Sequence, residues 1–182
     1  ATSYLAWLAV LFGNSASNLE IHDRLAHMGG LSGTVTTSQG ALSLVTNSPG
    51  ASRLGDANYS DVKWWLEIYT ALGATGVNAT VAVEYNDGTT GNLAAIALGA
   101  TPRAGRLYPL VSAVAGKLIR AVTGVTLSAT TGTAGNFGIT ATRPRTSVSA
   151  PLLNKTEVFD WAQLGLPNIP NDSCLQMIML CG

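Results

Sequence analysis

The chain has 182 residues, 47% of them hydrophobic and only 11% charged, with ten Lys and Arg balancing ten Asp and Glu and a mean hydropathy of +0.27. Charged residues are about 25% of ordinary soluble domains, so much of this surface is expected to be covered by other subunits, because large apolar patches rarely face water in monomers. Zero net charge with no block of like charge excludes the field that draws a protein to nucleic acid or to an anionic membrane.

Residues 4–12 (YLAWLAVLF) are apolar throughout. A spanning helix needs about 20 apolar residues. A signal peptide carries basic residues ahead of its apolar core, whereas the first basic residue here is Arg24. The segment reads as an arm that buries Trp7 and its neighbours against the domain or an adjacent subunit, with no evident partner for its apolar run within the chain. Residues 18–33 (NLEIHDRLAHMGGLSG) lead from the arm into the body, and Gly29, Gly30 and Gly33 are expected to interrupt any regular element there.

Residues 34–37 predict a short strand, followed by a polar loop as far as Asp56. Residues 62–70 (VKWWLEIYT) alternate Trp64, Leu66 and Ile68 with Trp65, Glu67 and Tyr69. This is a strand with Trp64 in the core and an outer face that is also aromatic. Residues 72–76 supply a turn, and residues 77–85 return with Ala79, Val81, Val83 and Tyr85 on one face. Asn86-Asp87-Gly88 then predicts a tight hairpin turn, because Asp and Gly accept the positive φ such turns require.

Further strands are predicted at residues 92–98, 107–111, 119–129, 136–142 and 174–180. Residues 122–142 (VTGVTLSATTGTAGNFGITAT) pair two β-rich runs around a Gly/Thr turn without one ionisable group. Residues 143–172 differ, holding Pro144, Pro151, Pro167 and Pro170, with room for only a short helix at 157–164. They read as a crossing arm. The expected fold is all-β, an antiparallel β-sandwich or jelly-roll-like domain with extended N-terminal and C-terminal arms. Its parts are the arm and lead-in (1–33), the sandwich (34–142), and the crossing arm with the last strand (143–182).

No catalytic, cofactor or metal constellation is apparent. His22 and His27 are five apart, not the i, i+4 pair of a helical metal site. His22, Asp23 and Ser32 supply the residue types of a hydrolase triad, but no G-x-S-x-G elbow accompanies them. The glycines at 132, 135 and 138 lie between two strands rather than before a helix, which excludes a phosphate cradle. Glu84 and Asp87 read as hairpin carboxylates facing water, and Arg103 with Arg106, Lys117 with Arg120, and Arg143 with Arg145 as solvated charges at strand ends, the alternative being a phosphate-binding patch assembled from them in space. If residues 174–181 are extended, Cys174 and Cys181 lie about 23 Å apart at about 3.3 Å per residue, beyond the roughly 7 Å a disulfide spans. They read as buried free thiols, with a bond between subunits as the alternative.

Four segments, HDRLAHMGGLSGTVTT (22–37), WWLEIYTALGATGVNATVAVEYNDGTTGN (64–92), ATPRAGRLYPL (100–110) and residues 122–142, resemble a group of tailed-bacteriophage virion structural proteins, with a weaker echo at 172–180. The resemblance implies a virion surface component and not an enzyme, made in the host cytoplasm and most like a decoration, or cement, protein on the outer surface of the icosahedral head. Its partners would be the major capsid protein and copies of itself, as a homotrimer, with no cofactor, nucleic acid or membrane. The candidate contact residues are Tyr4, Trp7, Leu8 and Phe12 of the arm, Trp65 and Tyr69 of the aromatic strand, and Trp161 of the crossing arm. The alternatives are a neck- or tail-associated fibre with a receptor- or glycan-binding module, in which Trp65 and Tyr69 stack on sugars, and a small secreted hydrolase.

Overall fold

A computed structural model describes residues 3–13, 17–150 and 153–180. Strands hold 51% of the chain and helix 2%. In chain order they are β1 (Ser3–Tyr4), β2 (Trp7–Val10), β3 (Ser17–Leu31), β4 (Leu42–Ser43), the single-turn α1 (Ala51–Leu54), β5 (Lys63–Thr70), β6 (Val77–Tyr85), β7 (Thr90–Asn92), β8 (Ile96–Gly99), β9 (Leu107–Leu110), β10 (Ile119–Leu127), β11 (Asn136–Ala150), β12 (Glu157–Asp160), β13 (Asn168–Ile169) and β14 (Leu175–Leu180). No helix among the described residues is long and apolar enough to cross a membrane.

The chain divides into two compact units: unit 1, Ala1–Leu25 with Thr142–Gly182, and unit 2, Ala26–Ala141. The boundaries fall inside the long strands β3 and β11, so the lead-in that the sequence grouped with the arm is shared between the units.

Unit 2 is a sandwich-like, all-β domain. One sheet runs β4-β10-β6-β7 with β8 also on β6, and the other places β11 between β3 and β5, with β9 outside β5. Period-two alternation supplies the inner faces. Val77, Ala79, Val81, Val83 and Tyr85 of β6 are buried, as are Phe137, Ile139 and Ala141 of β11. Each buried Val, Ile or Phe side chain among them contributes roughly 1.5–3 kcal/mol by leaving water. The Trp64 indole Nε1 in β5 donates to Ile119 O in β10 at 2.9 Å, and the Tyr108 hydroxyl in β9 donates to Leu98 O in β8 at 2.6 Å, so both anchor one sheet to the other. Close approach of β11 to β3 requires glycine at 138, where a Cβ would lie 2.0 Å from Met28 O. The predicted hairpin is present: Gly88 takes φ +83 and its N–H donates to Tyr85 O at 2.9 Å.

Unit 1 brings the two ends of the chain together. β1 pairs with β13, β2 with β12, and β14 with residues 18–23 of β3, all antiparallel. Val10, Val148 and Leu164 form its buried cluster, with Leu5, Leu8, Phe12, Leu19 and Phe159 packed around them. The apolar run at 4–12 therefore packs within the chain, the first of the two alternatives for the arm, although no partner for it was evident in the sequence. Its partners were invisible locally because they lie some 150 residues away in sequence.

Three expectations are corrected. Residues 18–33 hold most of a 15-residue strand, since Gly29 and Gly30 sit within β3 without ending it. Residues 34–37 form no strand: a turn at residues 33–34, with Val35 N–H donating to Ser32 O at 3.3 Å, passes into irregular chain. The expected short helix at 157–164 is instead β12 followed by a turn closed by Leu164 N to Asp160 O at 3.0 Å.

Candidate interaction surface

His22 and Asp23, two of the three residue types of the triad considered in the sequence, are engaged inside unit 1. Successive strand residues point to opposite faces, so His22 and Asp23 diverge. His22 is fully buried, with Nδ1 2.8 Å from the Thr142 hydroxyl and Nε2 2.7 Å from Glu20 Oε2. Asp23 accepts from the Arg145 guanidinium at 2.9 Å, the Ser173 hydroxyl at 3.0 Å and the Cys174 N–H at 3.0 Å. The carboxylate, imidazole and hydroxyl of Glu20, His22 and Thr142 lie in line as an acid–base chain would, but the Thr142 hydroxyl at its end has no exposure to a substrate. The arrangement ties β3 to β11 and to the segment leading into β14. Arg145 is thus half of a buried ion pair and not the solvated charge expected. Ser32 bonds its neighbour, with its hydroxyl 2.9 Å from Thr34 Oγ1. Among the described residues, no three His, Cys, Asp or Glu side chains are placed to hold a metal ion.

In unit 2 the carboxylates are also engaged. Glu84 accepts from Arg120 at 2.5 Å, and that bond raises the Arg120 pKa. Asp87 accepts from the Thr89 hydroxyl and N–H and pairs with Lys117 at 3.0 Å. These bonds, the Thr89 hydroxyl first, lower its pKa from 3.8 to about 2. Burial raises the Tyr108 phenol. Buried Glu67 accepts a short hydrogen bond from Thr140, whose hydroxyl also lies 3.3 Å from Tyr69 Oη.

The aromatic face of β5 is consequently less open than its alternation suggests. Tyr69 is half-buried, and its ring is so close to Gly29 that a Cβ there would lie 3.1 Å from it. Trp65 is half-buried opposite Pro109 and lines a cleft of about 160 Å³ with Tyr59, Ser112 and Lys117. Of the arm residues, Leu8 and Phe12 pack on the Val10 cluster and serve the core of their own unit instead of facing outward. Tyr4, Trp7 and Trp161 do face outward, with Trp7 62% exposed.

Unit 1 carries further exposed apolar side chains. In the β2–β12 ribbon, Leu8 and Phe159 are opposed on the inner face, and Trp7, Ala9 and Val158 occupy the outer face beside Asp160. Leu11 continues it. Tyr4 and Trp161 meet edge to face with ring centroids 6.4 Å apart. On β14, Leu175, Met177 and Met179 project on one face and are exposed, while Ile178 is buried on the other. β14 is also the edge strand of its sheet. Six residues without a charge form an edge of the kind that accepts another strand, and methionine adapts its shape to a partner. The β14 face was legible as the alternation of Leu175, Met177 and Met179, but the flanking cysteines suggested burial. Cys174 is in fact exposed and free, and Cys181 lies outside the described residues.

No family model matches the chain, and no curated protein or solved structure matches it either.

Proposed function

We propose that the chain is a structural protein of a tailed-bacteriophage particle, a decoration protein that binds the outer surface of the head, contacts the major capsid protein and copies of itself as a homotrimer, and stabilises the shell. The observation that carries this reading is the surface of unit 1, where Trp7, Leu11, Val158, Met177 and Met179 stand in water on short strands with few charges around them. A stable interface covers about 800 Å² per partner, and aromatic and methionine side chains are the types enriched in such contacts. The free edge of β14 adds backbone hydrogen bonds through strand addition. The sequence resemblance to virion proteins supports the major capsid protein as the partner.

A glycan-binding role on a neck or tail fibre is the second reading, favoured by the Trp65 cleft. At about 160 Å³ that cleft is small beside the roughly 300–1,000 Å³ of ligand sites, and the docking reading has more surface behind it. Copy number separates the two. Gel densitometry of purified virions should give hundreds of copies, retained through a wash in about 1 M NaCl because screening leaves apolar contact intact. About a dozen copies, or quantitative release by salt, would contradict the decoration reading.

A further inference from the structure

Unit 2 carries a second feature that the docking surface does not use. The loop between β8 and β9 contains a β-turn over residues 103–106: Arg106 N–H donates to Arg103 O at 3.3 Å, and Gly105 takes φ +81 at the third position, as a type II turn demands. The ends of such a turn lie within about 7 Å, which brings Arg103 and Arg106 together. The turn is fixed from both sides. Gly105 N donates to Ile68 O at 2.7 Å, Ile68 N to Arg106 O at 3.0 Å, and Thr101 N to Gly73 O at 3.0 Å, with Thr101 in the left-handed region at φ +49. The Arg106 guanidinium rests 4.9 Å from the centre of the Tyr108 ring, and that ring is itself held by its hydroxyl bond to Leu98 O.

Neither arginine has an ion-pair partner among the described residues. The carboxylates that might supply one are committed elsewhere: Glu84 to Arg120, Asp87 to Lys117, Glu67 to Thr140, and Asp56 to Ser60 and Asn58. Two like charges are therefore held at the ends of one rigid turn, beside an open cleft bounded by Ala100 and Thr101. Both side chains are exposed, so water already screens much of their repulsion, and an oxyanion seated between them would offset the remainder.

We infer that this turn is an oxyanion-binding site, in which Arg103 and Arg106 close on one compact group with at least two acceptor oxygens, a carboxylate or a phosphate. The guanidinium fork matches both bidentately. A polyanion is disfavoured, because nucleic acid is held through some 6–10 phosphate contacts and the turn is flanked by Ala100, Thr101 and Ala104 rather than by more cations. The site stands on unit 2 alone and not on the docking reading.

The test is an amide-shift titration of the isotope-labelled 182-residue chain with inorganic phosphate, with succinate, and with NaCl at matched ionic strength. Saturable shifts at Gly105 and Arg106 are expected with at least one oxyanion and none with chloride. Saturation by phosphate alone assigns a phosphate group, by succinate alone a carboxylate, and by both the shared oxyanion chemistry. Arg103→Ala and Arg106→Ala should each weaken binding about tenfold, as the loss of a charge-assisted bidentate pair predicts. Arg106→Lys should weaken it several-fold while keeping the charge. Shifts reproduced by chloride, shifts that survive in both alanine variants, or no saturation with either oxyanion would overturn the assignment.

Discussion

In unit 2, facing sheets bring Val81, Val83 and Val125 to zero exposure, whereas in unit 1 the edge strand β14 leaves Met177 at 70% and Met179 at 55%. The difference is one of layers. Unit 2 has two sheets of at least four strands, and each covers the inner face of the other. Unit 1 combines the ribbons β1–β13 and β2–β12, two-stranded elements that are marginal in water by themselves, with the end of the five-stranded sheet where β14 lies beside β3 and β3 beside β11. Its small Val10–Val148–Leu164 cluster uses only the inner faces. Composition alone does not distinguish the two regions, since both are poor in charge. What separates them is whether a second layer within the chain is there to receive the apolar face.

The strongest challenge to this contrast is to empty the core of unit 2. Trp64→Ala removes a buried indole and its bond to Ile119 O. It is expected to cost about 3–5 kcal/mol in denaturant unfolding, and a loss near zero would mean that the facing-sheet core is not what holds unit 2. The corresponding change in unit 1 is electrostatic. Asp23→Ala leaves the Arg145 guanidinium, only 6% exposed, without its carboxylate, at an expected cost of about 3 kcal/mol. In native-state hydrogen exchange this loss should fall on the Ile178 amide of unit 1 while the Val81 amide of unit 2 keeps its protection. Equal losses at both would show that the units open as one.

How far this contrast was legible in the sequence varies with the range of the interactions. β6 was readable to the residue, because Val77 through Tyr85 alternate without interruption and Asn86-Asp87-Gly88 closes the hairpin locally. β3 was hidden, since the polar His22 and Asp23 sit side by side and both are buried, which breaks the alternation that marks a half-buried strand. Their satisfaction by Thr142 and Arg145 depends on partners some 120 residues away, and the pairing of Trp7 with Asp160 on one some 150 residues away. Of the candidate contact residues, Tyr4, Trp7 and Trp161 are exposed and Leu8 and Phe12 pack within unit 1, while the exposed face of β14 was not among the candidates.

A smaller effect on the fold with a larger one on docking is expected from Met177→Lys combined with Met179→Lys. Both side chains are exposed, so stability should change by no more than about 0.5 kcal/mol, while binding to heads should weaken by about 2 kcal/mol or more if these residues are anchors. Undiminished binding would remove β14 from the interface. The smallest effect concerns the hairpin of unit 2. The folded Asp87 carboxyl lies below its ordinary value of 3.8, at about 2, so its contribution is complete above pH 3.8 and is lost as pH falls through 2. A carboxyl NMR titration should give a midpoint near 2, and one near 3.8 would show that Thr89 and Lys117 do not hold the charge.

The central claim, that unit 1 is the face the protein presents to its partner while unit 2 is complete in itself, is tested most directly by amide hydrogen exchange of the chain free and bound to purified phage heads. The account predicts new protection at Trp7–Val10, Glu157–Asp160 and Leu175–Leu180, with the β6 and β10 amides unchanged. Protection gained in unit 2 alone, with those three strands exchanging as in the free protein, would contradict it.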